Sequence, residues 1–379
     1  MNHLAIVLPG IDRIAGAERQ AILLAQGMAH RGWRVSFIAL TGTGGDAARE
    51  LQSAGIPFTS FGMRKGLADP RGWLRLHRWL GRHSPDIVHA HLPHAAWMTR
   101  VSRLFAPSRV VLDTIHTSHT GTAARRWSYR LTSPFSDRVT TVSQGVAEAY
   151  LSARMVSPNR LIVVPNGIDT QAWQPDPNAR ATLRADLGLT TEFLWLAAGR
   201  LEPVKDYPTL LRALAELPAS NRLIIAGSGR LESDLRLLSR QLGIDSRVHF
   251  AGFQSDIRPW MQAADAFVLS SLWEGLPMCL LEAAACAVAT VAPDIPGVRE
   301  ILTDGQNGFS FAAGNPASLR DSMIRMTRLD TNEHSAMGLA ARQKILADFS
   351  LSAVLDRWQA LYVHLLKTRP LPRHTASRP

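Results

Sequence analysis

The chain has 379 residues, 46% hydrophobic and 19% charged, which excludes a disordered chain and predicts two domains. No unbroken run of about eighteen apolar residues occurs, so no membrane span is expected. The net charge of +11 lies wholly in residues 1–165, which hold 20 Arg/Lys against 9 Asp/Glu. Nine of the thirteen histidines share that half. The asymmetry predicts that the first half faces something anionic, such as a membrane surface, an acidic acceptor or a nucleic acid. Cys279 and Cys286, the only cysteines, are spaced too widely for a disulfide and read as reduced thiols of a cytosolic protein.

The N-terminal apolar run is too short for a signal-peptide core and reads as a buried first strand. Strands are expected at 4–8, 35–40, 58–61, 87–91, 110–115, 139–142 and 161–164. Segments with apolar residues at three-to-four spacing lie between them, at 17–30, 71–83, 95–105 and 145–154. Alternation of this kind implies a parallel sheet with helices on both faces. The sequence Pro165-Asn166-Gly167-Ile168-Asp169 breaks the pattern and predicts a hinge. A second series follows, with strands at 193–198, 222–226, 248–251, 266–269, 288–291 and 309–311. Helices are expected at 208–216, 232–242, 257–263, 278–286, 316–328, 332–349 and 350–366.

Two segments of the second series suit an anionic ligand. In Glu274-Gly275-Leu276-Pro277-Met278-Cys279-Leu280-Leu281-Glu282, Pro277 and Gly275 shape a helix start whose open amides can receive a phosphate. Glu282 would sit one turn into that helix among Leu281, Ala283 and Ala284, where a carboxylate needs a partner such as a ribose diol. In Gly199-Arg200-Leu201-Glu202-Pro203-Val204-Lys205, two cations follow a strand end, a spacing suited to a diphosphate. In the first half, Thr114-Ile115-His116-Thr117-Ser118-His119 ends a strand, and His89, His91 and His94 surround another strand end. That second trio fits a metal cluster or, preferably, the lining of an acceptor site, since no acidic partner falls within it.

The order of these segments, with Ala226-Gly227-Ser228-Gly229 and residues 248–253 between them, resembles retaining family 4 glycosyltransferases of the GT-B fold. The resemblance runs back through Pro165-Asn166-Gly167-Ile168-Asp169 to Gly16-Ala17-Glu18-Arg19, and so covers nearly the whole chain. It implies an α/β architecture of two Rossmann-like, doubly wound domains facing across a cleft. Residues 1–166 would bind the acceptor and 167–349 the nucleotide sugar. A helix over 350–367 would cross back to the first domain, ahead of a flexible tail at 368–379. By residue, the resemblance implies that Arg200 and Lys205 hold the diphosphate, Glu282 the ribose, and Glu274 the sugar hydroxyls. The amides of Met278 and Cys279 would meet phosphate, and Phe253 would lie near the base. Gly16 and Leu276 complete the donor set, and His116 lies near the transferring sugar.

The chain departs from the family's pattern at Ala287-Val288-Ala289, where Gly-x-Pro is usual. It departs again at Pro296-Gly297, in place of two glycines, and at Ala15-Gly16-Ala17. No Asp-x-Asp occurs, so cations and helix amides are expected to replace a metal, and no cofactor is expected beyond the sugar nucleotide. The acceptor is expected to be lipid-linked or a glycan. The arginine- and aromatic-rich stretches at 71–82 and 125–130 suit an anionic membrane surface and the inner face of the membrane; nucleic acid is not expected, as no recognised module is present. The competing readings are a nucleotide-sugar epimerase, a phosphorylase and a non-catalytic sugar- or membrane-binding scaffold.

Overall fold

Apolar runs of three to six residues become strands covered on both faces, as parallel sheets require. The computed structural model describes residues 1–12, 14–64, 69–105 and 108–369. It divides into one unit of Met1–Gly167 with Val354–Pro379, and another of Ile168–Ala353. Of the tail expected at 368–379, residues 370–379 lie outside the described residues.

The first unit carries β1 (His3–Leu8), β2 (Arg34–Ala39), β3 (Phe58–Ser60), β4 (Ile87–His91), β5 (Val110–Ile115), β6 (Arg138–Thr141) and β7 (Leu161–Val163). They form one parallel sheet in the order β3-β2-β1-β4-β5-β6-β7. Ala5, Val7, Ile38, Val88 and Val111 on the strands pack with Leu76 and Leu80 of the helix Pro70–His83. Each of these valine, isoleucine and leucine side chains contributes about 1.5–3 kcal/mol on full burial. The helix Leu351–Thr368 passes into this unit, where Tyr362 is fully buried.

The second unit carries β8 (Phe193–Ala198), β9 (Asn221–Ala226), β10 (Val248–Gly252), β11 (Ala266–Val268), β12 (Ala289–Pro293) and β13 (Phe309–Phe311), in the order β10-β9-β8-β11-β12-β13. Trp195 anchors its core, fully buried, with its indole N–H donating to Asn221 Oδ1 at 2.9 Å. In each sheet the winding reverses beside the first strand, between β1 and β4 and between β8 and β11. Such switch points are where doubly wound sheets bind ligands, outside the carboxyl ends of the strands.

Four helices were not expected: Gly45–Ser53, Ala123–Thr132, the short Pro296–Arg299 and Pro177–Asp186. The last buries no residue at all. It starts because Asp176 caps the Asn178 and Ala179 amides with Pro177 in the first turn, and Arg180 and Arg184 tie it to Asp265.

Part of the basic excess is internal. Arg100 is fully buried, with Nη2 donating to both Asp113 oxygens at 2.8 and 2.7 Å, and Tyr129 and Ser136 donate to the same carboxylate. Arg103 pairs with Asp137 at 2.7 Å, while Arg75 and Arg160 donate to backbone carbonyls. These arginines serve the fold rather than an external anion.

Candidate active site

The two strands that flank the switch point of the second sheet each end in a functional segment. β8 runs into Gly199 and Arg200, and β11 runs through Ser270 and Ser271 to Glu274. The loops are laced together: the Leu272 amide donates to the Val204 carbonyl at 2.8 Å, and Ser270 Oγ to the Lys205 carbonyl at 2.6 Å. Across this seam Lys205 Nζ meets Glu274 Oε1 at 2.5 Å, and Ser271 Oγ donates to the same oxygen at 2.7 Å. Burial disfavours the Lys205 ammonium, yet the Glu274 carboxylate outweighs it and holds the lysine above its ordinary range. Arg200 lies beside them, exposed and with no ion pair among the described residues. The segment thus presents one free guanidinium and one lysine already neutralised by an acid.

Backbone crowding explains the glycines. A Cβ on Gly227 would fall 1.9 Å from the Gly199 carbonyl oxygen, and Gly227 has φ of +147°. A Cβ on Gly297 would fall 2.3 Å from the Gly275 carbonyl oxygen. The single glycine of Pro296-Gly297 is therefore the one that lets the short helix Pro296–Arg299 lie against the Glu274–Gly275 main chain.

The helix Met278–Ala285 begins after Pro277 with no side-chain cap, and its dipole favours an anion at that end. Leu276 is 5% exposed, which leaves its main chain rather than its side chain for a ligand. Burial pushes the Cys279 thiol up to about 12, despite the nearby Lys205, so it is not a nucleophile. Both cysteines are free. Glu282 follows one turn along. No hydrogen bond or ion pair reaches its carboxylate among the described residues, and burial raises it to about 7. Phe253, 76% exposed, stands on the loop after β10, whose Gly252 carbonyl accepts from the Gly227 amide at 2.7 Å.

The first unit holds the remaining expected residues. Gly16 opens the helix Gly16–His30, where the Ala15 amide donates to Glu18 Oε2 at 3.2 Å. His116 follows β5 and sits 3.0 Å, Nε2 to Nδ1, from His91. His89 and His91 do not line an acceptor site: they are 0% and 2% exposed, and their rings lie 4.2 Å apart in the sheet interior. His94 stands in the first turn of the next helix, and no group of metal-binding geometry occurs among the described residues. The sequence reading took His91 as acceptor lining and did not pair it with His116. The two-residue alternation of a strand held the signal, because β4–β5 register sets His91 beside Thr114 and so on the face of His116.

Known proteins match both units. The Glycosyltransferase Family 4 model covers residues 14–172, and the Glycosyl transferases group 1 model covers residues 179–344. EpsD of Bacillus subtilis (strain 168), a protein described as a glycosyltransferase, is 30% identical over 279 residues, 68% of this chain and 72% of that protein. The chain belongs to the family 4 glycosyltransferases. This glycosyltransferase is also 25% identical, over 79% of its length and 81% of the relative's, to the Escherichia coli UDP-Gal:alpha-D-GlcNAc-diphosphoundecaprenol alpha-1,3-galactosyltransferase. Its fold is GT-B: Anabaena Alr3699/HepE, crystallised with UDP, superposes with a TM-score of 0.85 at 22% identity, covering 96% of this chain and all of that one.

Proposed function

We propose that this glycosyltransferase moves a hexose-type unit from a nucleoside diphosphate sugar to a lipid-linked or polysaccharide acceptor of the cell envelope, with retention of configuration. The observation that carries the reading is Glu282, a carboxylate without a hydrogen-bond donor beside an uncapped helix start. A ribose diol supplies two hydroxyl donors to such a group and would draw its pKa back down. Arg200 and the amides of Met278 and Cys279 take the diphosphate, and Lys205 joins them as its bond to Glu274 is shared with phosphate. Charge developing on the departing diphosphate is then met by fixed donors, which is where this chemistry gains rate. The family resemblance gives Phe253 the base, Gly16 and the Leu276 main chain a part in donor binding, and Glu274 the sugar hydroxyls.

His116 acts as a neutral hydrogen-bonding group toward the transferring sugar. Burial lowers it to about 4, so it carries no charge at neutral pH. Departure and attack on one face of the sugar gives retention without a protein nucleophile, and Glu274, engaged by Lys205 and Ser271, is held as a ligand. UDP-sugars with diphosphoundecaprenol-linked acceptors are the first set to test, because the galactosyltransferase relative is named for that pair. Turnover with NMR assignment of the product anomer decides the matter; an α-linked donor giving a β-linked product would contradict retention. Turnover insensitive to chelator is expected, and activity lost to chelator and restored by manganese would contradict the metal-free reading.

The first unit also carries the features of a surface that meets anionic lipid. Trp127 and Leu131 are 60% and 67% exposed on the helix Ala123–Thr132, alongside exposed Arg126 and Arg130. Aromatic and aliphatic side chains among arginines suit the headgroup boundary, and a lipid-linked acceptor would be met there. No described helix is long and apolar enough to cross a membrane, so this contact would be peripheral.

A further inference from the structure

His116 is held by a buried hydrogen-bonded assembly that the sugar chemistry does not by itself require. Its order can be traced from a fixed end. Thr140 Oγ1 donates to the Asp113 carbonyl at 3.2 Å, so the 2.7 Å contact between Thr140 and Thr114 must use the Thr114 proton. Thr114 Oγ1 is then an acceptor, and His89 Nε2–H donates to it at 2.6 Å. That leaves His89 Nδ1 to accept from the Tyr362 hydroxyl at 2.7 Å. The His89 ring is locked in one neutral tautomer, and the His91 ring lies tilted against it with centroids 4.2 Å apart. His91 Nδ1 in turn meets His116 Nε2 at 3.0 Å. Burial lowers all three imidazoles, His89 to about 3 and His116 to about 4, so one proton lies between His91 and His116.

The other nitrogen of His91 decides where that proton is. His91 Nε2 is buried and has no protein partner. A buried N–H left without an acceptor is rarer in folded proteins than an under-used acceptor, so the bare nitrogen is Nε2 and the proton is on Nδ1. His91 and His116 both line a cavity of about 20 Å³ with Gln20, Thr114, Asn166 and Trp358.

We propose that His91 is the positioning residue of His116: its Nδ1–H donates to His116 Nε2, so that His116 carries its own proton on Nδ1 and offers a hydrogen-bond donor to the sugar. His116 Nδ1 has no partner among the described residues, so it is the atom left to meet a ligand. The inference rests on the reading of His116 as a sugar ligand, and it makes His116 a donor rather than a base.

The test uses the full chain and three variants. His91→Asn keeps a nitrogen where Nδ1 stands, His91→Leu removes it at similar volume, and His116→Ala removes the ligand itself. With the donor and acceptor that the wild type turns over, His91→Leu should lower kcat by about tenfold to hundredfold while donor KM moves little. His91→Asn should recover most of that loss. Nitrogen-15 imidazole spectra of the wild type at pH 7 should show His116 protonated on Nδ1 alone, and His91→Leu should show both tautomers. Full activity of His91→Leu alongside an inactive His116→Ala would overturn the positioning role and leave the His116 reading intact. Full activity of His116→Ala would remove that reading, and the spectra would still decide whether His91 sets the tautomer. Should His91→Leu fail to fold, a wild-type His116 protonated on Nε2 overturns the proposal by itself.

Discussion

Glu282 sits high in the carboxylate range for one reason, burial without a donor, and this gives it two opposed effects. In the unfolded chain the same group titrates at about 4.3. The folded chain therefore holds the proton more tightly, and stability falls as pH rises from about 4 to about 7. Replacing Glu282 by Gln removes that penalty, on the order of 3–4 kcal/mol above pH 7. Thermal unfolding at pH 8 should show Glu282→Gln more stable than the wild type, with the advantage gone near pH 4; equal melting at both would contradict the pKa. The same substitution removes the ribose acceptor. Nucleotide affinity should then fall by about tenfold or more, the worth of a hydrogen bond to a charged group. In the wild type, affinity should weaken as pH drops below about 7, because the carboxylate must be ionised to accept both hydroxyls.

At the scale of elements, the loop around Glu274 is shaped by the short helix that opens with Pro296 and Gly297. Gly297→Ala would drive a methyl into the Gly275 carbonyl, a backbone atom that yields only if the whole loop moves. The overpacking costs about 1–3 kcal/mol, and the moved atoms are those bearing the Glu274 carboxylate. Calorimetry should show weaker nucleotide binding with the fold retained; unchanged affinity would mean the loop does not shape the site. The strands were legible because parallel strands buried on both faces read as continuous apolar runs. Pro177–Asp186 was not, since it buries nothing and announces itself only through Asp176 and Pro177. The spacing of Arg200, Lys205, Glu274 and Glu282 singled these residues out, and the family resemblance gave them roles. It did not disclose that Lys205 and Glu274 partner one another, because 69 residues separate them and only the adjacency of β8 and β11 closes that distance. His89 and His91 were read as lining because no acidic partner falls within their group; here both are buried, with Trp358 and Tyr362 of the helix Leu351–Thr368 against His89.

For the whole molecule, the charge excess lies in the first unit and the candidate nucleotide-binding segments 199–205 and 274–282 lie in the second. The basic half spends Arg100, Arg103 and Arg160 internally and still exposes Arg126 and Arg130 beside Trp127 and Leu131. Co-sedimentation with vesicles containing anionic lipid should be reduced by Trp127→Ser with Leu131→Ser, and reduced again by salt. Binding unchanged by both would remove the membrane surface without touching the donor site. Titration calorimetry with a panel of nucleoside diphosphates reads the donor site directly. At least one member should bind the wild type and bind Arg200→Ala and Glu282→Gln about tenfold or more weakly. A panel that binds none of its members, or one that binds all three proteins alike, would contradict the assignment of residues 199–205 and 274–282 as the nucleotide-sugar site.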